Sequence, residues 1–100
     1  MGDLKRYSDQ TFEEIKHIDE SGSEFWFARE LQIVLDYSEW RNFENVLEKA
    51  KTACRNSKND VANHFVDVNK MVTLGSGSNR EIDDYKLSRY ACYLIVMTLP

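Results

Sequence analysis

The stretch DDYKLSRYACYLIVM, residues Asp83–Met97, decides how the rest of the chain must fold. No charged residue follows Arg89, and apolar side chains recur at the three- and four-residue spacing of one helix face. The pattern predicts a helix whose buried face packs in the core. That face comprises Leu87, Tyr90, Ala91, Leu94 and Ile95.

The opposite side of this helix is apolar as well, because it carries Tyr93, Val96 and Met97. A helix that is apolar all round must be covered on every side. The uncharged segment is shorter than the roughly 20 residues that cross a bilayer, so membrane insertion is not predicted. We expect these three residues to meet either a second copy of the chain or sequence beyond Pro100, and we predict self-association.

Length and composition predict one globular domain spanning residues 1–100. Hydrophobic residues make up 42% and charged residues 30%, which is typical of a folded domain rather than of a disordered segment. The chain opens with polar residues, so no signal peptide is predicted. Cys54 and Cys92 lack the spacing of a zinc site or a disulfide framework, so we predict no metal, no cofactor and a reducing cytoplasm.

Hydrophobic periodicity predicts an α+β fold that is mainly helical, with four to five helices and two short β-hairpins. The first hairpin joins residues 16–18 to residues 24–27, and Phe25, Trp26 and Phe27 are predicted to be core. The second joins residues 70–74 to residues 80–85 around a Gly-Ser loop.

Helix starts are predicted from residues whose side chains can cap a helix N-terminus. Ser8 or Asp9 is expected to cap a short first helix and Ser38 the longest helix, residues 39–55. Asp60 and Ser88 are expected to cap two later helices.

Residues 28–36 and 39–55 form two predicted helices separated only by Tyr37-Ser38, which favours a helix-turn-helix-like pair. The net charge of −4 argues against a general nucleic-acid binder, but the second half of the chain is positive overall and contains a basic run with no acid inside it. On this hypothesis the second helix contacts base edges and the basic run contacts phosphates. The predicted nucleic-acid-binding residues are Arg41, Asn42, Asn45, Lys49, Lys51, Arg55, Lys58 and, at the hairpin tip, Arg80. Glutamates lie among them, so a plain solvated helix remains the alternative.

The sequence predicts no catalytic site. Adjacent acids such as Asp83-Asp84 are expected to be solvated, since neighbouring side chains point apart. His17 and His64 have no Cys, Asp or Ser partner at a recognisable spacing, and a nuclease would require a metal site.

Several segments, in their order and spacing, resemble the N-terminal part of the DNA-damage-inducible protein D family, which is related to the BRO-N domain of phage antirepressors. LSRYACYLI is the most specific of them. The others are FEEIK, EFWFAREL, LDYSEWRNF, HF and MV with GSGS.

This resemblance implies a non-enzymatic DNA-damage-response or antirepressor-like domain that acts on DNA, single- or double-stranded, or on a recombinase filament. A purely protein-binding module is the alternative. Family members have glycine where this chain has Asp36, which predicts a looser turn. They also continue through a further helical region, so we expect this chain to be either the N-terminal domain of a longer protein, truncated after the last helix, or a natural short form.

Overall fold

The computed structural model describes residues 11–100, so the predicted cap at Ser8 or Asp9 lies outside the described residues. Helices and strands follow one another with short connections. In chain order they are α1 (Phe12–Glu14), β1 (His17–Ile18), β2 (Glu24–Phe27), α2 (Ala28–Val34), α3 (Trp40–Asn56), α4 (Val61–His64), β3 (Phe65–Thr73), β4 (Asn79–Leu87) and α5 (Arg89–Met97).

The strands form one antiparallel sheet in the order β1-β2-β4-β3. Two residue pairs, Trp26 with Leu87 and Phe27 with Lys86, join β2 to β4 and so connect the first hairpin to the second. The prediction of a mainly helical domain with two short hairpins is therefore wrong. Strands hold 27% of the described residues, and β3 and β4 are nine residues each. The error arose because two strands that pair across such a distance in the chain leave no local signal.

Alternation along the strands gives the sheet two unlike faces. The inner face carries Trp26, Phe65 and Leu87, which are at most 3% exposed and pack with α3 and α5 in the core. Phe25 and Phe27 point the other way and are only partly buried. The prediction that all three aromatics of β2 are core is correct for Trp26 alone.

Helix α5 occupies the central position that its sequence predicted. Ala91, Leu94 and Ile95 are at most 5% exposed, and burying a side chain of the size of leucine or isoleucine contributes roughly 1.5–3 kcal/mol to stability. Ser88 Oγ accepts a hydrogen bond from the Ala91 backbone N–H at 3.0 Å, which confirms Ser88 as the cap.

Asp84 couples α2 to the sheet. This residue is 1% exposed, and its Oδ1 accepts hydrogen bonds from the backbone N–H groups of Arg29 at 3.0 Å and Tyr85 at 2.8 Å. Lys70 Nζ lies 2.9 Å from Oδ2 in an ion pair whose angles are not those of a hydrogen bond. The prediction that both acids of Asp83-Asp84 are solvated is thus wrong for Asp84, because the start of α2 and Lys70 contact its carboxylate, whereas Asp83 is exposed.

The connection between α2 and α3 differs from that of the predicted helix-turn-helix-like pair. Five residues, 35–39, separate the helices, and α2 is a seven-residue helix bonded at its start to β4. Asp36 adopts a left-handed conformation with φ of 64°, and the Tyr37 N–H bonds back to the Gln32 carbonyl at 3.0 Å. This Schellman motif makes a tight end to α2 in place of the looser turn predicted. Helix α3 then begins at Trp40 with no side-chain cap, so Ser38 is not its N-cap.

Candidate nucleic-acid interface

Helix α3 presents most of the predicted nucleic-acid contacts on its exposed side. Its buried side, Phe43, Val46, Leu47, Ala50 and Cys54, packs into the core. The remaining side chains fall into two stripes at three- and four-residue spacing. The two stripes differ in charge, so they differ in what they can bind.

The first stripe contains no acid. Arg41, Asn45 and Lys49 follow one another at four-residue steps, with Asn42 beside them, and all four are exposed. None of the four side chains makes a hydrogen bond or an ion pair with another residue of the described part, 11–100. Their N–H groups are therefore available to donate hydrogen bonds to a partner that is anionic or carries hydrogen-bond acceptors.

The second stripe mixes acids with bases and is partly occupied. Lys51 Nζ donates hydrogen bonds to the Tyr85 hydroxyl at 2.8 Å and to Glu48 at 3.2 Å, and its side chain is 17% exposed. Burial lowers the pKa of Lys51, but these hydrogen bonds outweigh it and leave that pKa above its ordinary value. Lys51 thus secures α3 to the sheet. Arg55 follows it by four residues and is exposed.

Lys58 lies just past the end of α3 in a left-handed conformation, with φ of 63°. Its N–H bonds to the Arg55 carbonyl at 2.9 Å, and the Asn59 N–H bonds to the Cys54 carbonyl at 3.1 Å. These two bonds form a second Schellman motif. The motif holds the exposed Lys58 side chain at the end of the helix that carries Arg41 and Lys49.

Arg80 does not join the α3 surface. It pairs with Val72 on the distal part of the β3–β4 hairpin, on the same side of β4 as Lys86. Tyr85, which contacts Lys51, lies on the other side of that strand. The structure therefore separates Arg80 from the other predicted contacts and assigns it to the outer face of the sheet.

The outer face also carries an aromatic cluster that sequence reasoning missed. The His17 ring stacks on Phe25 with centroids 5.3 Å apart, and Phe27 meets both rings edge-on at 4.9 and 5.2 Å. Lys86 Nζ lies 4.8 Å from the Phe25 centroid, and Lys70 Nζ lies 3.5 Å from that of Phe27. The sequence contained a signal for this cluster. Side chains alternate along β2, so Phe25 and Phe27 must lie on the face opposite to Trp26.

An apolar groove of about 510 Å³ lies between α1, α2 and α5. The three residues predicted to self-associate all line it, together with Leu31 and Val34 of α2. Tyr93 is 53% and Met97 70% exposed, so this side of α5 is uncovered by residues 11–100.

One arginine ties the start of α5 to two other elements. Arg89 donates to both carboxylate oxygens of Glu24 at 2.7 and 2.9 Å, and its Nη1 lies 3.0 Å from Glu13. The hydrogen bond from Arg89 is the largest cause of the lowered pKa of Glu24 and also of Glu13. The arginine of the LSRYACYLI segment is thus a structural anchor that sequence reasoning did not single out.

The histidines have partners that spacing did not reveal. His17 Nε2 lies 2.7 Å from Glu30 Oε1, and His64 Nδ1 lies 2.7 Å from Ser88 Oγ. Ser88 Oγ already accepts the capping hydrogen bond of α5, so this contact joins two element ends. Within residues 11–100 no cluster of three or more His, Cys, Asp or Glu side chains could hold a metal ion.

Both cysteines are buried free thiols, and burial is the main cause of the raised pKa of Cys54 and of Cys92. Cys54 and Cys92 therefore pack as small hydrophobic side chains. No helix in the described part of the chain has the length and apolar character needed to span a membrane.

Fold and surface together define a small mixed helix-and-sheet domain with an exposed cationic helix, an aromatic sheet face and an apolar groove. The family model described as BRO family, N-terminal domain, matches residues 14–100, and the chain belongs to this family. The family resemblance noted from the sequence is thereby confirmed.

Among curated proteins, the chain is similar to the DNA damage-inducible protein D of Escherichia coli (strain K12). The two are 51% identical over 87 residues, which cover 87% of this chain. The chain spans about a third, 32%, of the length of that relative. No solved structure matches the chain.

Proposed function

We propose that this chain is a non-enzymatic, antirepressor-like domain of a DNA-damage response that binds DNA through the exposed face of α3. The phosphate contacts come chiefly from Arg41 and Lys49, with Asn42 and Asn45 beside them as amide donors. Arg55 and Lys58 extend the surface at the end of the helix. The family and the name of the relative support the DNA-damage connection.

One observation carries the proposal. Arg41, Asn45 and Lys49 form an acid-free stripe on a molecule whose net charge is −4, and none of them has a partner among the described residues. Unpaired cations on one exposed helix face can contact backbone phosphates, whose neutralisation releases counterions. In several of the other cationic side chains of residues 11–100 the charge is engaged, as in Lys51, Lys70 and Arg89.

The test is DNA binding by fluorescence polarisation across a series of salt concentrations, with the variant Arg41→Gln plus Lys49→Gln. We expect wild-type affinity to fall as salt rises. In the double variant the slope of log affinity against log salt should become shallower by about 2, roughly one for each phosphate that the variant no longer neutralises.

Lys51→Gln is the matched control for the single variant Lys49→Gln, since each removes one positive charge and the two positions are two residues apart. We expect it to leave the salt slope unchanged, because its ammonium group is held by Tyr85 and Glu48. Circular dichroism checks that each variant is folded. If Lys49→Gln and Lys51→Gln weaken DNA binding equally, the net charge of the domain rather than the acid-free stripe determines affinity. The assignment of the DNA-binding site to α3 is then wrong.

A second candidate is a protein-binding module that never touches DNA, with a recombinase filament as one such partner. The observation that favours it is the apolar groove along α5, with Tyr93 and Met97 more than half exposed. The absence of any binding to single-stranded or duplex DNA at low salt would favour this candidate over the first.

A further inference from the structure

We propose that the free edge of β3 pairs antiparallel with the same edge of a second copy of the chain, in a register centred on Asn69. The pairing joins two four-stranded sheets into one sheet of eight strands. It does not depend on the proposed DNA-binding function. It is also separate from the groove along α5, because β3 supplies none of the residues that line that groove.

The edge strand β3 lacks the features that normally prevent edge-to-edge pairing. It is the last strand in the order β1-β2-β4-β3, so the N–H and C=O groups on its outer edge have no neighbouring strand. The opposite edge strand, β1, has only two residues, whereas β3 has nine and contains no proline. Its register with β4 runs without a bulge from Phe65–Leu87 to Thr73–Asn79. Among residues 11–100, no backbone hydrogen bond outside this ladder involves residues 66–73.

Lysine side chains often protect a sheet edge, but the one lysine of β3 is engaged elsewhere. Lys70 Nζ lies 2.9 Å from Asp84 Oδ2 and 3.5 Å from the centroid of the Phe27 ring. Asp84 belongs to β4 and Phe27 to β2, so the ammonium group points across the sheet and away from the free edge. The backbone groups of this edge are therefore open to another strand.

Symmetry and charge together select the register. A two-fold axis perpendicular to the sheet keeps each side chain on its own face of the joined sheet, and opposing residues share a face, so the register must be centred on a residue. Centring it on Asp67 or on Lys70 places like charges directly opposite each other, which is destabilising. Asn69 is the middle residue of Phe65–Thr73, so a register centred on it pairs all nine residues.

Opposing side chains are compatible in this register. The pairs between the two copies are Phe65 with Thr73, Val66 with Val72, Asp67 with Met71, Val68 with Lys70, and Asn69 with Asn69. Val66 is 41% and Met71 66% exposed, so the pairing covers aliphatic surface. No like charges lie directly opposite each other, and the two Asn69 amides can hydrogen-bond to each other.

The two-fold axis also places α3 of both copies on one side of the joined sheet. Helix α3 packs on the inner face, and rotation about an axis perpendicular to the sheet keeps the two inner faces on the same side. The contact is a single strand pair without a buried core, so it is transient in dilute solution. Trapping is therefore the measurement that detects it.

The experiment is disulfide trapping with cysteine substitutions in β3. Asn69→Cys places two thiols opposite each other, where antiparallel strands hold the Cα atoms about 4.5–5.5 Å apart, within the range that a disulfide bridges. Met71→Cys is the matched control, since it is exposed on the same side of the same strand but lies about 14 Å along the strand from its own copy. The native thiols of Cys54 and Cys92 are fully buried.

Each variant is oxidised with diamide at the same low protein concentration, and the dimer is followed over time by non-reducing gel electrophoresis. We expect Asn69→Cys to form the disulfide-linked dimer at least about tenfold faster than Met71→Cys, because pairing raises the effective concentration of the two thiols. Circular dichroism checks that each variant is folded.

A mixture of Asp67→Cys and Met71→Cys tests the register independently. These two positions oppose each other between the copies, so the mixture should cross-link faster than either variant alone. Equal rates for Asn69→Cys and Met71→Cys, or a mixture no faster than its components, overturns the pairing. Either result leaves the α3 proposal intact, because DNA binding is measured separately on the wild-type chain.

Discussion

At the scale of single residues, Asp36 and Lys58 occupy equivalent positions at the ends of α2 and α3. Each adopts the left-handed conformation just past a helix end and completes a Schellman motif. Glycine is the usual residue there, because a side chain in this conformation costs roughly 1–2 kcal/mol. The sequence predicted the two helix ends at residues 36 and 55, close to the observed ends at Val34 and Asn56, but it did not indicate the left-handed positions, since neither residue is glycine.

Lys58 combines this strain with its proposed contact to phosphate, so one substitution should move two properties in opposite directions. We expect Lys58→Gly to raise the free energy of unfolding by about 1 kcal/mol, because glycine removes the steric cost. The same change should weaken DNA binding and make its salt slope shallower by about 1. Urea unfolding and fluorescence polarisation measure the two effects.

Lys58→Ala is the matched control. It removes the same charge but keeps a Cβ in the left-handed conformation, so binding should weaken as in Lys58→Gly with no gain in stability. Should Lys58→Gly and Lys58→Ala unfold at the same urea concentration, the backbone at residue 58 is not strained as described.

At the scale of elements, α5 is held by its side chains in the core and by Arg89 at its start. The double contact to Glu24 on β2 and the contact to Glu13 on α1 join three elements that are distant in sequence. Charge-assisted hydrogen bonds of this bidentate form are stronger than single ones. The anchor therefore sets where α5 enters the fold, and with it one wall of the apolar groove.

The anchor predicts a pH dependence. Arg89 lowers the folded-state pKa of Glu24 below the ordinary value of 4.5, so the stabilisation is present above pH 4.5 and is lost as the pH falls through the folded-state pKa. We expect Glu24→Gln to lower the urea midpoint at neutral pH and to approach the wild-type midpoint in acid.

Glu14→Gln provides the control, because Glu14 is exposed and makes no ion pair with the described residues. Its urea midpoint should match that of wild type at both pH values. A midpoint difference between Glu24→Gln and wild type that stays constant from neutral to acid pH would rule out the ion pair as the cause.

At the scale of the whole molecule, three surfaces lie on different parts of the fold: the acid-free stripe of α3, the outer face of the sheet, and the groove along α5. The first two offer cations and aromatic rings, whereas the groove is lined mainly by apolar side chains. Exposed apolar surface of this kind marks interfaces. We therefore keep self-association through Tyr93, Val96 and Met97 as a proposal separate from DNA binding.

Self-association predicts a dimer mass for wild type at high concentration by light scattering. Met97→Lys should shift the mass toward one chain, because it places a charge on the groove wall. Ile33→Lys should not, since Ile33 is as exposed as Met97, 73% against 70%, but does not line the groove. A wild-type mass of one chain at high concentration would exclude this interface.

By itself, the sequence determined the elements whose signals are local. The buried face of α5, its cap at Ser88, the β1–β2 hairpin and the extent of α3 were all predicted from spacing and capping chemistry. Periodicity works here because each pattern lies within one helix or one strand pair. The LSRYACYLI segment likewise predicted the family.

Tertiary structure alone decided which cations are free and which faces are open. The pairing of Trp26 with Leu87 merges two hairpins into one sheet, and that sheet engages Lys51, buries Asp84 and turns Phe25 outward. The physical reason is that contacts between residues far apart in the chain depend on which side of a strand meets which helix. No window of the sequence contains both partners of such a contact.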